Sequence, residues 1–76
     1  MDEAAREEIA EELMVEPEEL TPDVALEDLE MWDSVTALTI MVILGDVIGR
    51  PVEPSAMAKL VTWGDVEALV ARGTGS

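Results

Sequence analysis

The stretch Asp33-Ser34-Val35-Thr36-Ala37-Leu38-Thr39-Ile40-Met41-Val42-Ile43-Leu44-Gly45-Asp46-Val47-Ile48 decides what kind of molecule this chain can form. Asp33 and Ser34 are both good helix N-cap residues. Gly49 suits the position just past a helix end, and Pro51 blocks continuation, so a helix is predicted from Asp33-Ser34 to about Ile48. Val35, Leu38, Met41, Val42, Leu44 and Ile48 can face a core, but Ile40, Ile43 and Val47 widen the apolar stripe nearly all round. A helix apolar on most faces either sits at the centre of its fold or presents one side to a partner.

Towards the C-terminus, Pro54-Ser55-Ala56-Met57-Ala58 fits a short helix with proline near its first position. Thr62, with Asp65 three residues on, forms a capping-box-like start for a last helix whose apolar face is Trp63, Val66, Leu69 and Val70. Towards the N-terminus, Ala5, Ile9 and Leu13, with Ala10 and Met14 beside them, recur at helical spacing among glutamates, so a first helix is predicted from about Asp2 to Met14, ended by Pro17. The connection from Glu16 to Leu29 holds Pro17 and Thr21-Pro22-Asp23, which argue against continuous helix. Leu20, Val24, Leu26 and Leu29 are spaced along it as anchors for a helical core, and Leu26 to Leu29 can form a single turn. No segment shows strand alternation or repetition. The expected fold is all-α, a small bundle of three main helices plus one short helix. Residues 1–72 are expected to form the one domain, and Gly73-Thr74-Gly75-Ser76 a flexible tail.

Composition excludes most chemistry. At 76 residues a single core is only marginally stable, although 49% hydrophobic content permits one. The chain lacks cysteine, histidine and tyrosine, which removes disulfides, Cys-ligated metal, the usual general base and the phenolic acid. An enzyme is not expected. Asp23, Glu27, Asp28 and Asp33 do not follow the spacing of a calcium loop, and no Gly-rich phosphate loop is present. A net charge of −14 disfavours nucleic acid and anionic membranes and favours partners with basic docking surfaces. Fourteen of the eighteen acids lie between Asp2 and Asp33. Apolar runs such as Ile40 to Leu44 are too short to cross a bilayer, and the acidic N-terminus resembles neither a secretory signal nor a transit peptide. A cytoplasmic monomer without membrane insertion is expected.

The window Leu26-Glu27-Asp28-Leu29-Glu30-Met31-Trp32-Asp33-Ser34-Val35 resembles the modification site of acyl carrier proteins. In that family an Asp-Ser-aliphatic tripeptide follows a Leu/Phe-x-Asp-Leu segment and opens the second helix. Leu13 to Leu20 resembles the end of the family's first helix and the start of its long loop. Pro51-Val52-Glu53-Pro54 resembles its link into the short third helix, and Leu60 to Val66 its approach to the fourth. The resemblance covers roughly residues 5–71 in the family's order and spacing.

The resemblance implies that Ser34 carries 4′-phosphopantetheine derived from coenzyme A, that Asp33 is recognised by a phosphopantetheinyl transferase, and that Val35 packs against the arm or a docking partner. Local sequence alone reads Asp33 and Ser34 as capping residues, and the two roles are compatible. The implied partners are that transferase and the enzymes that load and transfer acyl groups. Fatty-acid members of the family carry several acids on the exposed face of the second helix. Here Thr36, Thr39, Gly45, Asp46 and Val47 stand in that stretch, so Asp46 is its one acid after Asp33. Docking through an apolar strip of Val35 and Val42, with Asp46 at its end, is therefore expected, unless both valines are simply core. Trp32 replaces the small residue common in fatty-acid carriers. It is expected to be half-buried, closing the loop over the core, or alternatively to wall the arm. Trp63, Met14, Met41 and Met57 are assigned to the core, where some can line the space that shelters an acyl chain in such carriers. The pathway is open between fatty acid, polyketide and cell-surface modification, tilted away from bulk fatty-acid synthesis. Two alternatives stand beside this reading. A peptidyl or aminoacyl carrier usually has Gly-Gly before the site, where this chain has Met31-Trp32. An unmodified helical interaction module would use the apolar second helix as its binding face.

Overall fold

A computed structural model describes residues 2–74 and shows four α-helices: α1 (Glu3–Glu12), α2 (Ser34–Ile48), α3 (Pro54–Ala58) and α4 (Trp63–Gly73). Single 3₁₀ turns at Pro17–Glu19 and Leu26–Asp28 punctuate the long loop between α1 and α2. Among the described residues there is no strand, and the fold is the expected all-α bundle. α2 is central, with α1, α3 and α4 each packed against it.

Each helix begins and ends for a local reason. The Asp2 carboxylate accepts the Ala4 N–H at the start of α1. The helix stops two residues short of the predicted Met14, and the cause is not Pro17. Met14 adopts a left-handed conformation with φ 56°. Its N–H donates to Glu11 O, and the Val15 N–H donates back to Ala10 O, a Schellman closure built on a residue other than glycine. The turn swings the Met14 side chain outward to 76% exposure, which corrects its assignment to the core, and brings Val15 back against the core instead. At the far end of α2, Gly49 takes the left-handed conformation with φ 89°, as its place in the sequence predicts. α4 opens on the predicted reciprocal cap. Thr62 Oγ1 accepts the Asp65 N–H, and Asp65 Oδ2 accepts the N–H groups of Thr62 and Val61. These bonds, Val61's first, hold the Asp65 carboxyl below its ordinary value. α4 includes Gly73 and is closed by Thr74, whose hydroxyl donates to Val70 O, so helix reaches into the segment expected to be tail. Gly75 and Ser76, the rest of that expected tail, lie outside the described residues.

The core is one cluster drawn from every part of the chain. Ile9, Ala10 and Leu13 of α1 meet Ile40, Ile43 and Leu44 of α2 and Trp63, Val66 and Val70 of α4. Leu20 and Leu26 anchor the loop as predicted, with Val24 and Leu29 half-buried beside them. The loop is also held by backbone pairing that side-chain patterning did not reveal. Leu26 N–H donates to Val61 O, Trp63 N–H to Val24 O and Gly64 N–H to Pro22 O, so the loop is stitched to the start of α4. A Cβ on Gly64 would come within 2.8 Å of Pro22 O, and this close approach is what glycine permits there. At the other end of the loop, the Arg6 guanidinium donates to Pro17 O.

The phase of α2 differs from expectation. Ile40, Ile43 and Leu44 form its buried face, while Leu38, read as able to face the core, is 56% exposed; Val35 and Val42 are 73% and 63% exposed, which removes the alternative that both valines are simply core. Met41 and Ile48 are half-buried at the flank. With nearly every position apolar, periodicity could not say which stripe faces inward. The α1 and α4 surfaces, built of Ile9, Leu13, Val66 and Trp63, settle it.

Candidate functional site

The site is built where the long loop meets α2. Trp32 N–H donates to Leu29 O, which closes the last turn of the loop and leads the chain into Asp33. Asp33 is extended, with φ −137°, and caps α2: Oδ1 accepts the Thr36 N–H at 2.8 Å while its carbonyl accepts the Ala37 N–H. The Thr36 N–H, above all, holds the Asp33 carboxyl below its ordinary value, so it is charged at neutral pH.

Ser34 is therefore the first residue of α2 and not its cap. The capping role that local sequence offered to both residues falls to Asp33 alone, and the exposed Ser34 hydroxyl is left out of it. The first N–H groups of a helix have no partner in the helix itself and, with the helix dipole, favour an anion at this end.

Ser34 stands at the rim of a surface groove of about 510 Å³ between α2 and α3, lined by Trp32, Leu38, Met41, Met57 and Leu60 among others. Trp32 is half-buried against the core, as the sequence led one to expect, and it walls the groove beside Ser34. Met41 and Met57 are half-buried, and both line the groove. Leu38 and Leu60 were not marked as groove residues in the sequence. Leu60 follows Met57 at helical spacing past the end of α3, a signal too short to read.

A second groove of about 460 Å³ adjoins the first at Met41 and runs past Val42, Asp46 and Arg50. Val35, Leu38 and Val42 share the solvent face of α2, and exposed Asp46 lies one turn beyond Val42. The structure thus brings Asp33, Ser34 and Val35 together at one end of α2, and Val35, Val42 and Asp46 along one face. Among the described residues no group of three or more acids converges to hold a metal ion, and no helix is long and apolar enough to cross a membrane.

An exposed serine hydroxyl at the positive end of a helix, with an apolar groove at its side, fits a covalently attached phosphodiester and its tether. Residues 3–70 match the family described as "Phosphopantetheine attachment site". The chain belongs to this family. Its members attach 4′-phosphopantetheine covalently, and the protein is accordingly a phosphopantetheine-carrying carrier protein. Carriers of this kind are not catalytic themselves and interact with phosphopantetheinyl transferases and acyl-handling enzymes. None of the curated proteins compared with the chain matches it.

Proposed function

We propose that the protein is an acyl carrier that holds 4′-phosphopantetheine on Ser34 Oγ and delivers acyl thioesters to the enzymes of a specialised lipid, polyketide or cell-surface pathway. The observation that carries this reading is the exposed Ser34 at the start of α2, relieved of capping by Asp33 and opening onto an apolar groove. Attachment forms a bond from Ser34 Oγ to the β-phosphorus of coenzyme A. The hydroxyl proton passes to a base on the transferase, and adenosine 3′,5′-bisphosphate leaves. The bound group supplies the thiol on which acyl groups are carried as thioesters, so the chain needs no cysteine.

The chain's own residues supply presentation and address. The α2 N-terminus favours the phosphodiester charge. Asp33, ionised and adjacent, marks the site for the transferase, and Val35 next to it offers apolar contact. Along α2, Val35 and Val42 form a docking strip with Asp46 at its end. Because this face bears a single carboxylate, partners bind it mainly by apolar contact, with charge as the minor contribution. Acyl cargo is favoured over peptidyl cargo by Met31-Trp32 in place of Gly-Gly and by the apolar groove walls. The protein acts in the cytoplasm as a monomer on this reading.

Intact mass after incubation with coenzyme A and a broad-specificity phosphopantetheinyl transferase is the test. One phosphopantetheine increment on the wild-type chain and none on Ser34→Ala supports the proposal. An unchanged mass in the wild type would leave the apolar face of α2 to an unmodified interaction module.

A further inference from the structure

Acids outnumber cations 18 to 4 in this chain, so a cation has no shortage of partners. Among the described residues, however, the one ion pair joins Arg6 to Glu3. Arg50, Lys59 and Arg72 are exposed and unpaired, and they gather on one face. Arg50 and Arg72 line a groove of about 260 Å³, and Lys59 and Arg72 line an adjoining one of about 330 Å³, both walled by α3 and α4. No residue before Ile48 lines either groove, so the acid-rich half of the chain takes no part in them. Glu53 and Asp65 are the acids on these walls, and Asp65 is already bonded to the N–H groups of Val61 and Thr62. A helix C-terminus favours a cation, and Lys59 caps α3 while Arg72 lies in the last turn of α4. That accounts for each of them singly and not for their gathering.

We propose that the α3–α4 face is a second docking surface, and that its occupant is an acidic, partly apolar segment of a partner protein. Charge complementarity selects the acid: three unpaired cations border a surface on a chain that is otherwise strongly negative. The groove floor selects the apolar part. Ile48, Val52, Ala56 and Leu69 are half-buried there and offer contact that a bare anion cannot use. A nucleic acid or an anionic bilayer would extend past the three cations into the field of a chain with net charge −14. A short segment need not, because a charge is felt over only about 8 Å at physiological salt. Ser34, Val35 and Val42 line neither groove, so a partner seated here leaves the α2 face free. The carrier can then be held by one protein while another works at Ser34. The surface itself does not depend on the reading of Ser34.

The test selects binders for the full chain at physiological salt from a random library of short peptides built of Asp, Glu, Leu, Phe, Ser and Gly. Enriched peptides are expected to combine acids with Leu or Phe. They should shift the backbone amides of Ala56, Leu69 and Arg72 and leave those of Val35 and Val42 in place. Combining Arg50→Gln, Lys59→Gln and Arg72→Gln is expected to weaken binding about tenfold or more. Each single change should weaken it in the same direction, with the melting temperature recorded alongside. If the cations serve only to offset helix ends, the triple variant melts lower and no peptide is enriched, which overturns the proposal. Peptides that bind the folded triple variant equally well, or that shift Val35 and Val42 instead, overturn it too. Tripolyphosphate moving the same amides as strongly at equal concentration would make this a site for free anions and not for a protein segment. A wild-type chain that self-associates in sedimentation, beside a triple variant that does not, would give the face to a second copy and overturn the proposed partner.

Discussion

Three adjacent residues divide the work of the site. Asp33 caps α2, Ser34 is left exposed beside it, and Val35 points its apolar side chain to solvent. Ser34→Ala is therefore expected to leave stability within about 0.5 kcal/mol of the wild type, since the cap survives, and a thermal melt checks this. The same scale yields a stabilising change. Met14 sits at φ 56° with its side chain exposed, a conformation that costs an L-residue about 1–2 kcal/mol and glycine almost nothing. Met14→Gly should raise stability by about 1 kcal/mol, read as a higher urea midpoint at unchanged slope. Asp65 gives a pH dependence. Its folded-state pKa lies below the unfolded value, so its contribution is fully present above about pH 4 and is lost as pH falls through the depressed value. Asp65→Ala should melt below the wild type at pH 7, and the gap should close steadily below about pH 4. A gap independent of pH would show that the carboxylate charge plays no part in the cap.

At the scale of elements, α2 and the long loop teach different lessons. The existence, start and end of α2 were legible in Asp33, Gly49 and Pro51, because capping and chain-breaking are local. Its rotational phase was not, because Val35, Leu38, Ile40, Val42, Ile43 and Leu44 are interchangeable by hydropathy and only the packing of α1 and α4 distinguishes them. The loop's side-chain anchors were legible too, but the pairing of residues 22–26 with residues 61–64 depends on backbone groups, which carry no residue-type signal. Two expectations follow. Ile40→Ala should cost about 2–5 kcal/mol, whereas Val35→Ala and Val42→Ala should each stay within about 0.5 kcal/mol while slowing loading by partner enzymes. If Asp46→Lys slows loading far more than either valine change, docking is electrostatic and the apolar strip is not the recognition surface. Gly64→Ala, which drives a Cβ against Pro22 O, should cost about 1–3 kcal/mol and loosen the loop that delivers Asp33 and Ser34 to the head of α2.

For the molecule as a whole, charge is unevenly spread along the chain. Fourteen of eighteen acids precede Ser34, and Arg6 is the one cation in that half, pairing with Glu3 and tying α1 to Pro17. Self-repulsion is thus concentrated in α1 and the loop, while α2 and the grooves beside it are nearly free of acids. Added salt should raise the melting temperature, and millimolar Mg²⁺ should do so more than monovalent salt at the same concentration, by relieving repulsion between acids that form no metal cluster among the described residues. A midpoint that does not move would show the acids too dispersed to interact. The overall architecture was legible because length, charge and helix order act together. The surface groove was not, since it is formed by Trp32, Leu38, Met41, Met57 and Leu60 from three separate segments, and their meeting is a property of the packed bundle.

The central claim is that Ser34 alone carries the arm. After transfer from coenzyme A, proteolysis and tandem mass spectrometry of the wild-type chain should place one phosphopantetheine on the peptide containing Asp33-Ser34-Val35, with fragment ions assigning it to Ser34 Oγ. An increment on a peptide containing Ser55 or Ser76, or on any peptide of the Ser34→Ala variant, would contradict it.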